Sequence, residues 1–148
     1  MATIWVDADA LPGAVKDILV KASLNREVDV VLVANHWIQK PKSYRVSVVT
    51  VGQGADVADD HIAEHCEAED LVITSDIPLA ARVVEKGATV VTAYGRVLDE
   101  ATVREALSIR DFKEELRDLG VETGGPPPYG AKQKQAFASA LDRWLARR

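Results

Sequence analysis

The feature that most constrains this chain is an alternation. Short, almost wholly apolar runs take turns with longer amphipathic stretches. Thr3-Ile4-Trp5-Val6, Val28 to Ala34, Val46 to Val51, Leu71-Val72-Ile73-Thr74 and Ala88 to Val91 are rich in β-branched residues and read as strands. They lack the in–out polar alternation of a half-exposed strand, so both faces of each must be covered. Between them, Leu11 to Ala22, Val57 to Cys66 and Pro78 to Lys86 carry apolar residues at helical spacing, as in Val15, Ile18, Leu19 and Ala22. Pro12 suits a first helical turn, Asp56 an N-cap, and Gly87 a helix end. Strands separated by helices, with strands apolar on both faces, predict an α/β fold with a mainly parallel five-stranded sheet between helical layers.

After Gly95 the pattern changes. Glu100 to Leu107 and Ile109 to Leu119 read as two helices, the second ended by Gly120. Thr123-Gly124-Gly125-Pro126-Pro127-Pro128-Tyr129-Gly130 reads as a loop, because proline lacks the amide donor and glycine favours neither element. Ala131 to Arg147 reads as a last helix, with Phe137, Leu141, Trp144 and Leu145 on one stripe. These C-terminal helices, from about residue 99, have apolar faces that need a partner. The expectation is one domain over residues 1–148, the size of an ordinary domain.

At 47% hydrophobic and 28% charged residues, composition excludes general disorder. No apolar run approaches the roughly 18 residues of a membrane span. The start, Met-Ala-Thr-Ile-Trp-Val-Asp, lacks the basic and apolar regions of a secretory signal. A lone cysteine, Cys66, fits a reducing compartment, so a cytoplasmic location is expected. The net charge of −5 disfavours tight nonspecific binding to nucleic acid. The charge is uneven, however. Lys132, Lys134, Arg143, Arg147 and Arg148 face a single acid, Asp142, in the last helix. Such a helix is either a solvated face or a polyanion contact.

Chemistry is expected at the strand ends. In an open parallel sheet, ligands bind outside the carboxyl ends of the strands, where strand order reverses. Asp7 and Asp9 follow the first strand, Asp76 follows the fourth, and Asp59 and Asp60 open the second helix. If the first and fourth strands are neighbours, Asp7 and Asp76 lie side by side with Asp9 on the rim. Carboxylates gathered in one cleft repel unless a cation or proton intervenes. Oxygen donors favour Mg²⁺ or Mn²⁺ over Zn²⁺. Such a site suits phosphodiester hydrolysis, because a divalent ion acidifies water and offsets charge on the phosphoryl group. Asn35, after the second strand, and Ser75, before Asp76, could touch a phosphate or a metal-bound water. Arg82, Lys132 and Lys134 could bind a polyanion. Each acid also has a structural alternative. Asp56, Asp59 and Asp60 could serve the helix dipole, and Asp9 and Asp76 could cap the helices that follow them. Asp7, ending an apolar strand, has no routine structural job.

Other signals are weaker. His61 and His65 form an i, i+4 pair, but position 62 is Ile, so the zinc-protease pattern is absent. Cys66 reads as a buried thiol. Gly52-Gln53-Gly54 is only half of a dinucleotide loop and follows the third strand. Trp37 and Tyr44, near Lys40 and Lys42, come nearest to a base-stacking surface, with core or loop packing as the alternative.

Several segments together resemble the bacterial YaiI/YqxD family. They are Ile4-Trp5-Val6-Asp7-Ala8-Asp9-Ala10, Asp56-Val57-Ala58-Asp59, Asp70 through Ala80, Thr123-Gly124-Gly125-Pro126, and Gln135-Ala136-Phe137-Ala138 with Leu141-Asp142-Arg143-Trp144. The resemblance spans essentially the whole chain, in order. It implies a three-layer PIN-like fold, in which acids at strand ends hold Mg²⁺ or Mn²⁺ and many members of the wider class cut RNA. Carried over, Asp7, Asp59 and Asp76 would be the catalytic, metal-holding acids. Asp9 belongs to the family's own signature, and Asp9 or Asp60 would supply a further ligand. This chain departs from the family pattern twice. Leu11-Pro12 stands where Cys-Pro is common, and Thr92-Ala93-Tyr94-Gly95 stands where Asn-Pro-Arg-Gly is common, with Arg96 one residue later. The resemblance thus implies a metal-dependent phosphodiesterase, ribonuclease-like, with RNA as partner. The alternative is a non-catalytic nucleic-acid or nucleotide-binding module that keeps the cation site. A third reading is an interaction domain whose acids only cap helices and solubilise.

Overall fold

The computed structural model describes residues 2–9, 11–54 and 56–148. Ala10, the last residue of the Asp7-Ala8-Asp9-Ala10 segment, lies outside them. The elements run β1 (Thr3–Asp7), α1 (Gly13–Asn25), β2 (Asp29–Ala34), β3 (Val46–Thr50), α2 (Val57–His65), β4 (Leu71–Ile73), α3 (Ile77–Glu85), β5 (Thr89–Val91), β6 (Val97–Leu98), α4 (Glu100–Asp118) and α5 (Ala131–Arg147). They form one sheet in the order β3-β2-β1-β4-β5-β6, with all pairs parallel except β5–β6.

Successive side chains of a strand point to opposite faces, and here both faces are buried. Ile4, Val6, Val30, Leu32, Leu71, Ile73 and Val91 pack with Val15 and Leu19 of α1 and with Phe137, Leu141 and Leu145 of α5. Val33, Val72 and Val90 pack on the other side with Ile62 of α2, Leu79 and Val83 of α3, and Val103 of α4. This is the expected three-layer, PIN-like α/β arrangement.

Three features differ from the expectation by more than a one-residue shift at an element end. The five expected strands are present, and β6 is added as an antiparallel edge. Gly95, at φ +85, makes the turn that reverses the chain between β5 and β6. α4 is continuous from Glu100 to Asp118 instead of two helices. Pro12 is the N-cap of α1 and not part of its first turn, so the helix starts and ends later than expected.

Strand order reverses between β1 and β4. From β1 the chain moves outward through β2 to β3, then crosses back by α2 to place β4 against the other side of β1. Trp5 pairs with Val72 and Val6 with Ile73 across this junction. A buried carboxylate fixes the opposite end of the same seam. Asp70 accepts from the amides of Thr3 (2.9 Å) and Glu67 (2.8 Å) and from the indole of Trp5 (3.0 Å).

Candidate functional site: a carboxylate cluster at the strand switch point

Because β1 and β4 are neighbours, the residues at their carboxyl ends meet at the switch point. Asp7 ends β1 and Asp76 follows β4. Asp59 arrives from the first turn of α2, the helix that makes the crossover.

Thr74 links the first two. Its hydroxyl donates to Asp7 Oδ2 at 3.2 Å and accepts from the Asp76 amide at 3.0 Å. Asp76 also caps α3, with Oδ1 accepting from the Leu79 amide at 3.0 Å. The structural alternative for Asp76 is therefore true of one of its oxygens. Asp59 lies near enough to Asp76 and Asp7 to feel both of their charges.

The electrostatics follow from this crowding. Burial, then the charges of Asp76 and Asp7, push the Asp59 carboxyl up to about 7. Asp7 is also raised. Burial is the main cause, offset in part by the Thr74 hydrogen bond and reinforced by Asp9 and Asp76. Two carboxyls this close cannot both ionise freely without a proton or a cation between them.

Asp9 lies near Asp7 but is anchored elsewhere. Its Oδ1 accepts from the Asn35 amide at 2.9 Å and meets His36 Nδ1 at 3.1 Å. It does not cap α1. Asn35 thus reaches the site rim through its backbone. Ser75 is exposed beside Asp76. Asp60 is not part of the cluster. It forms an ion pair with Arg82 at 2.8 Å, joining α2 to α3. One acid and one cation expected to serve a ligand are thus engaged with each other. Lys132 and Lys134 are exposed at the start of α5. That end of the helix is held at the carboxyl end of β5, where the Tyr129 hydroxyl donates to the Ala93 carbonyl at 2.9 Å. They share the cluster's end of the sheet without touching it.

Sequence reasoning passed over Thr74. The Thr74-Ser75-Asp76 run was its only signal, since a buried threonine ending an apolar strand has a hydroxyl that must find a partner. The two histidines pack on each other at the surface. His61 and His65 stack at 4.1 Å between ring centroids, and both lie near Trp5. Cys66 is buried, and burial pushes its thiol up, away from reactivity. Trp37 and Tyr44 are both exposed, so the alternative of core packing does not hold for them.

Among the described residues, no three acidic, histidine or cysteine side chains are drawn close enough to enclose an ion. The donor chemistry nevertheless fits one. Asp7, Asp59 and Asp76 offer only oxygen, suited to a hard divalent cation, and the raised carboxyls show charge that a cation would relieve. Among the described residues, no helix is long and apolar enough to cross a membrane.

Comparison with known proteins agrees with the sequence resemblance. The family model described as "Uncharacterized BCR, YaiI/YqxD family" matches residues 5–147. A UPF0178 protein of Xanthomonas campestris pv. campestris (strain 8004) is 52% identical over 147 residues, covering 99% of this chain and 92% of the relative. A UPF0178 protein of Shewanella sp. (strain MR-7) is 51% identical over 144 residues, covering 97% of this chain and 95% of the relative. One of Myxococcus xanthus (strain DK1622) is 52% identical over 144 residues, covering 97% and 94%. No solved structure matches. With a family match over nearly its full length and relatives at half identity, this chain belongs to the YaiI/YqxD family.

Proposed function

We propose that the protein is a metal-dependent phosphodiesterase acting on RNA, with its centre at Asp7, Asp59 and Asp76. One observation carries the reading. Asp7, Asp59 and Asp76 gather at the point where open parallel sheets bind ligands, near enough for their charges to act on one another. Asp7, Asp59 and Asp76 would hold Mg²⁺ or Mn²⁺, with Asp9 on the rim. The ion would supply charge neutralisation at the phosphoryl oxygens and a more acidic water. The chain's own residues do the rest. Thr74 fixes the Asp7 carboxylate and, through the Asp76 amide, the start of α3. Asp59, raised to about 7 in the absence of a cation, must give up its proton to hold one, so the ion would bind more tightly as pH rises. Lys132 and Lys134 would receive the polyanion beyond the cluster.

One observation favours the non-catalytic alternative, a nucleic-acid or nucleotide-binding module with a cation site. Arg82, the basic side chain expected to meet a phosphate, is held by Asp60.

The test is single-turnover cleavage of single-stranded RNA with and without Mn²⁺, beside Mn²⁺ calorimetry. The comparison is wild type against Asp7→Asn and Asp76→Asn. Asparagine keeps the cap on α3, so Asp76→Asn removes charge and spares the helix. Cleavage that needs Mn²⁺ and falls by about a hundredfold or more in either variant is expected. Cleavage unaffected by Asp76→Asn sinks the proposal. Mn²⁺ binding without cleavage selects the binding module.

A further inference from the structure

A cavity of about 770 Å³ lies between α5 and the β5–β6 edge of the sheet. It opens at the amino-terminal ends of the strands. Ala2 precedes β1, Glu69 precedes β4 and Thr89 begins β5, and all three line it. It therefore sits at the opposite end of the sheet from the carboxylate cluster. Its volume is in the range of sites that hold small organic ligands.

The lining has two parts. Val91 and Val97, paired across β5 and β6, form an apolar wall with Ala140 and the half-buried ring of Trp144. Arg143 and Arg147 stand on the same side of α5, one turn apart. Among the described residues, neither makes an ion pair or a side-chain hydrogen bond. Like charges at this spacing repel each other, although Arg147 also suits the negative end of the α5 dipole. Arg148 differs, since it donates to the Arg26 carbonyl at 2.8 Å. Of the two acids at the cavity, Asp99 is already engaged. Its Oδ1 accepts from the amides of Ala101 (2.9 Å) and Thr102 (3.0 Å). Among the described residues, the Glu69 carboxylate has no such partner.

We propose that this cavity binds a nucleoside monophosphate. A planar base fits between Trp144 and the valine wall, and aromatic stacking tolerates any base. The forked guanidinium groups of Arg143 and Arg147 take the phosphate, for which they are better matched than lysines. Glu69 and the Thr89 hydroxyl accept from the sugar hydroxyls. The negative end of the α5 dipole opposes an anion at the last turn. Arg147 offsets it, and Arg143, one turn further in, is the main phosphate group. The site is independent of the phosphodiesterase reading. Free nucleotide and the 5′-phosphorylated end of an RNA share this chemistry.

The test follows the three tryptophan indole N–H signals by two-dimensional NMR on the ¹⁵N-labelled full chain, with Trp144 assigned by Trp144→Phe. AMP, GMP, CMP and UMP are titrated, with adenosine, inorganic phosphate and a 5′-phosphorylated single-stranded RNA as separate arms. A monophosphate is expected to shift the Trp144 signal at about 1 mM or below and leave Trp5 and Trp37 in place. Arg143→Gln with Arg147→Gln should weaken this by about tenfold or more. Asp76→Asn should leave it unchanged. No shift with any monophosphate up to about 10 mM overturns the proposal. So does a shift that survives the double substitution, or binding by RNA alone.

Discussion

The Thr74 hydroxyl stands 3.2 Å from Asp7 Oδ2 and steadies the first acid of the cluster. A buried hydroxyl in this position does two jobs, since it also accepts from the Asp76 amide. Thr74→Val keeps the shape and removes both bonds. The expected loss is about 1–3 kcal/mol of stability, because the Asp76 amide is left without its acceptor. Asp7 loses the hydrogen bond that lowers its pKa, so it should ionise less readily and bind Mn²⁺ more weakly. Thermal unfolding and Mn²⁺ calorimetry on the same variant check both effects. Unchanged unfolding would mean that Thr74 is not so engaged.

Asp59 predicts a pH dependence of stability. Its folded-state pKa of about 7 lies above the ordinary value of 3.8, so the folded chain holds a proton that the unfolded chain has released. Stability therefore falls as pH rises from about 4 to about 7 and levels off above that. Asp59→Asn removes the repulsion. It should raise the melting temperature at pH 8 and do little at pH 4. A divalent cation should mimic the substitution in the wild type at pH 8, since it also relieves the charge. Melting curves at the two pH values decide, and equal effects at both would contradict the crowding of the acids.

Gly95 is irreplaceable for two reasons. It adopts φ +85, and a Cβ built there would lie 2.6 Å from the carbonyl carbon and oxygen of Ala136. Gly95→Ala must either move α5 away from the β5–β6 turn or strain the turn. A loss of about 2 kcal/mol or more is expected. Gly125→Ala is the control, because a Cβ there meets nothing within 4 Å. Denaturant midpoints of the two variants should differ clearly.

Phe137 tests whether the last helix belongs to the body of the protein. It is fully buried in the same cluster as Ile4, Val6 and Leu19. Phe137→Ala should cost about 3–5 kcal/mol. If the chain is one cooperative unit, the whole transition shifts as one, by circular dichroism and by tryptophan fluorescence alike. An early, separate transition would mean that α5 unfolds on its own.

Strands and the switch point were legible because continuous apolar runs leave few alternatives to a covered parallel sheet. The strand ends bring Asp7 and Asp76 together only if β1 and β4 are neighbours, which they are. α4 misled because its apolar residues change face. Val103 and Ala106 are buried against α3, whereas Ile109, Phe112 and Leu119 are exposed. The periodicity breaks near Ser108, yet no glycine or proline breaks the backbone there. β6 is two residues long and too short to show a pattern. The Asp60–Arg82 pair is set by how α2 packs on α3, which spacing within either helix does not encode. Thr74 was missed for a related reason, as its role depends on the neighbour of its strand and not on its own segment.

The crossover through α2 divides ownership of the acids. A cut in the Gly52-Gln53-Gly54 turn would leave β1, β2 and β3 on one piece with Asp7 and Asp9, and β4, β5 and β6 on the other with Asp59 and Asp76. Neither piece would hold the cluster. It exists only along the seam where β1 meets β4, so the apolar contacts that close the seam also force like charges together. Reassociation of two such fragments would therefore be opposed by the very groups it assembles, and it would be helped by protons or by any cation able to sit between them.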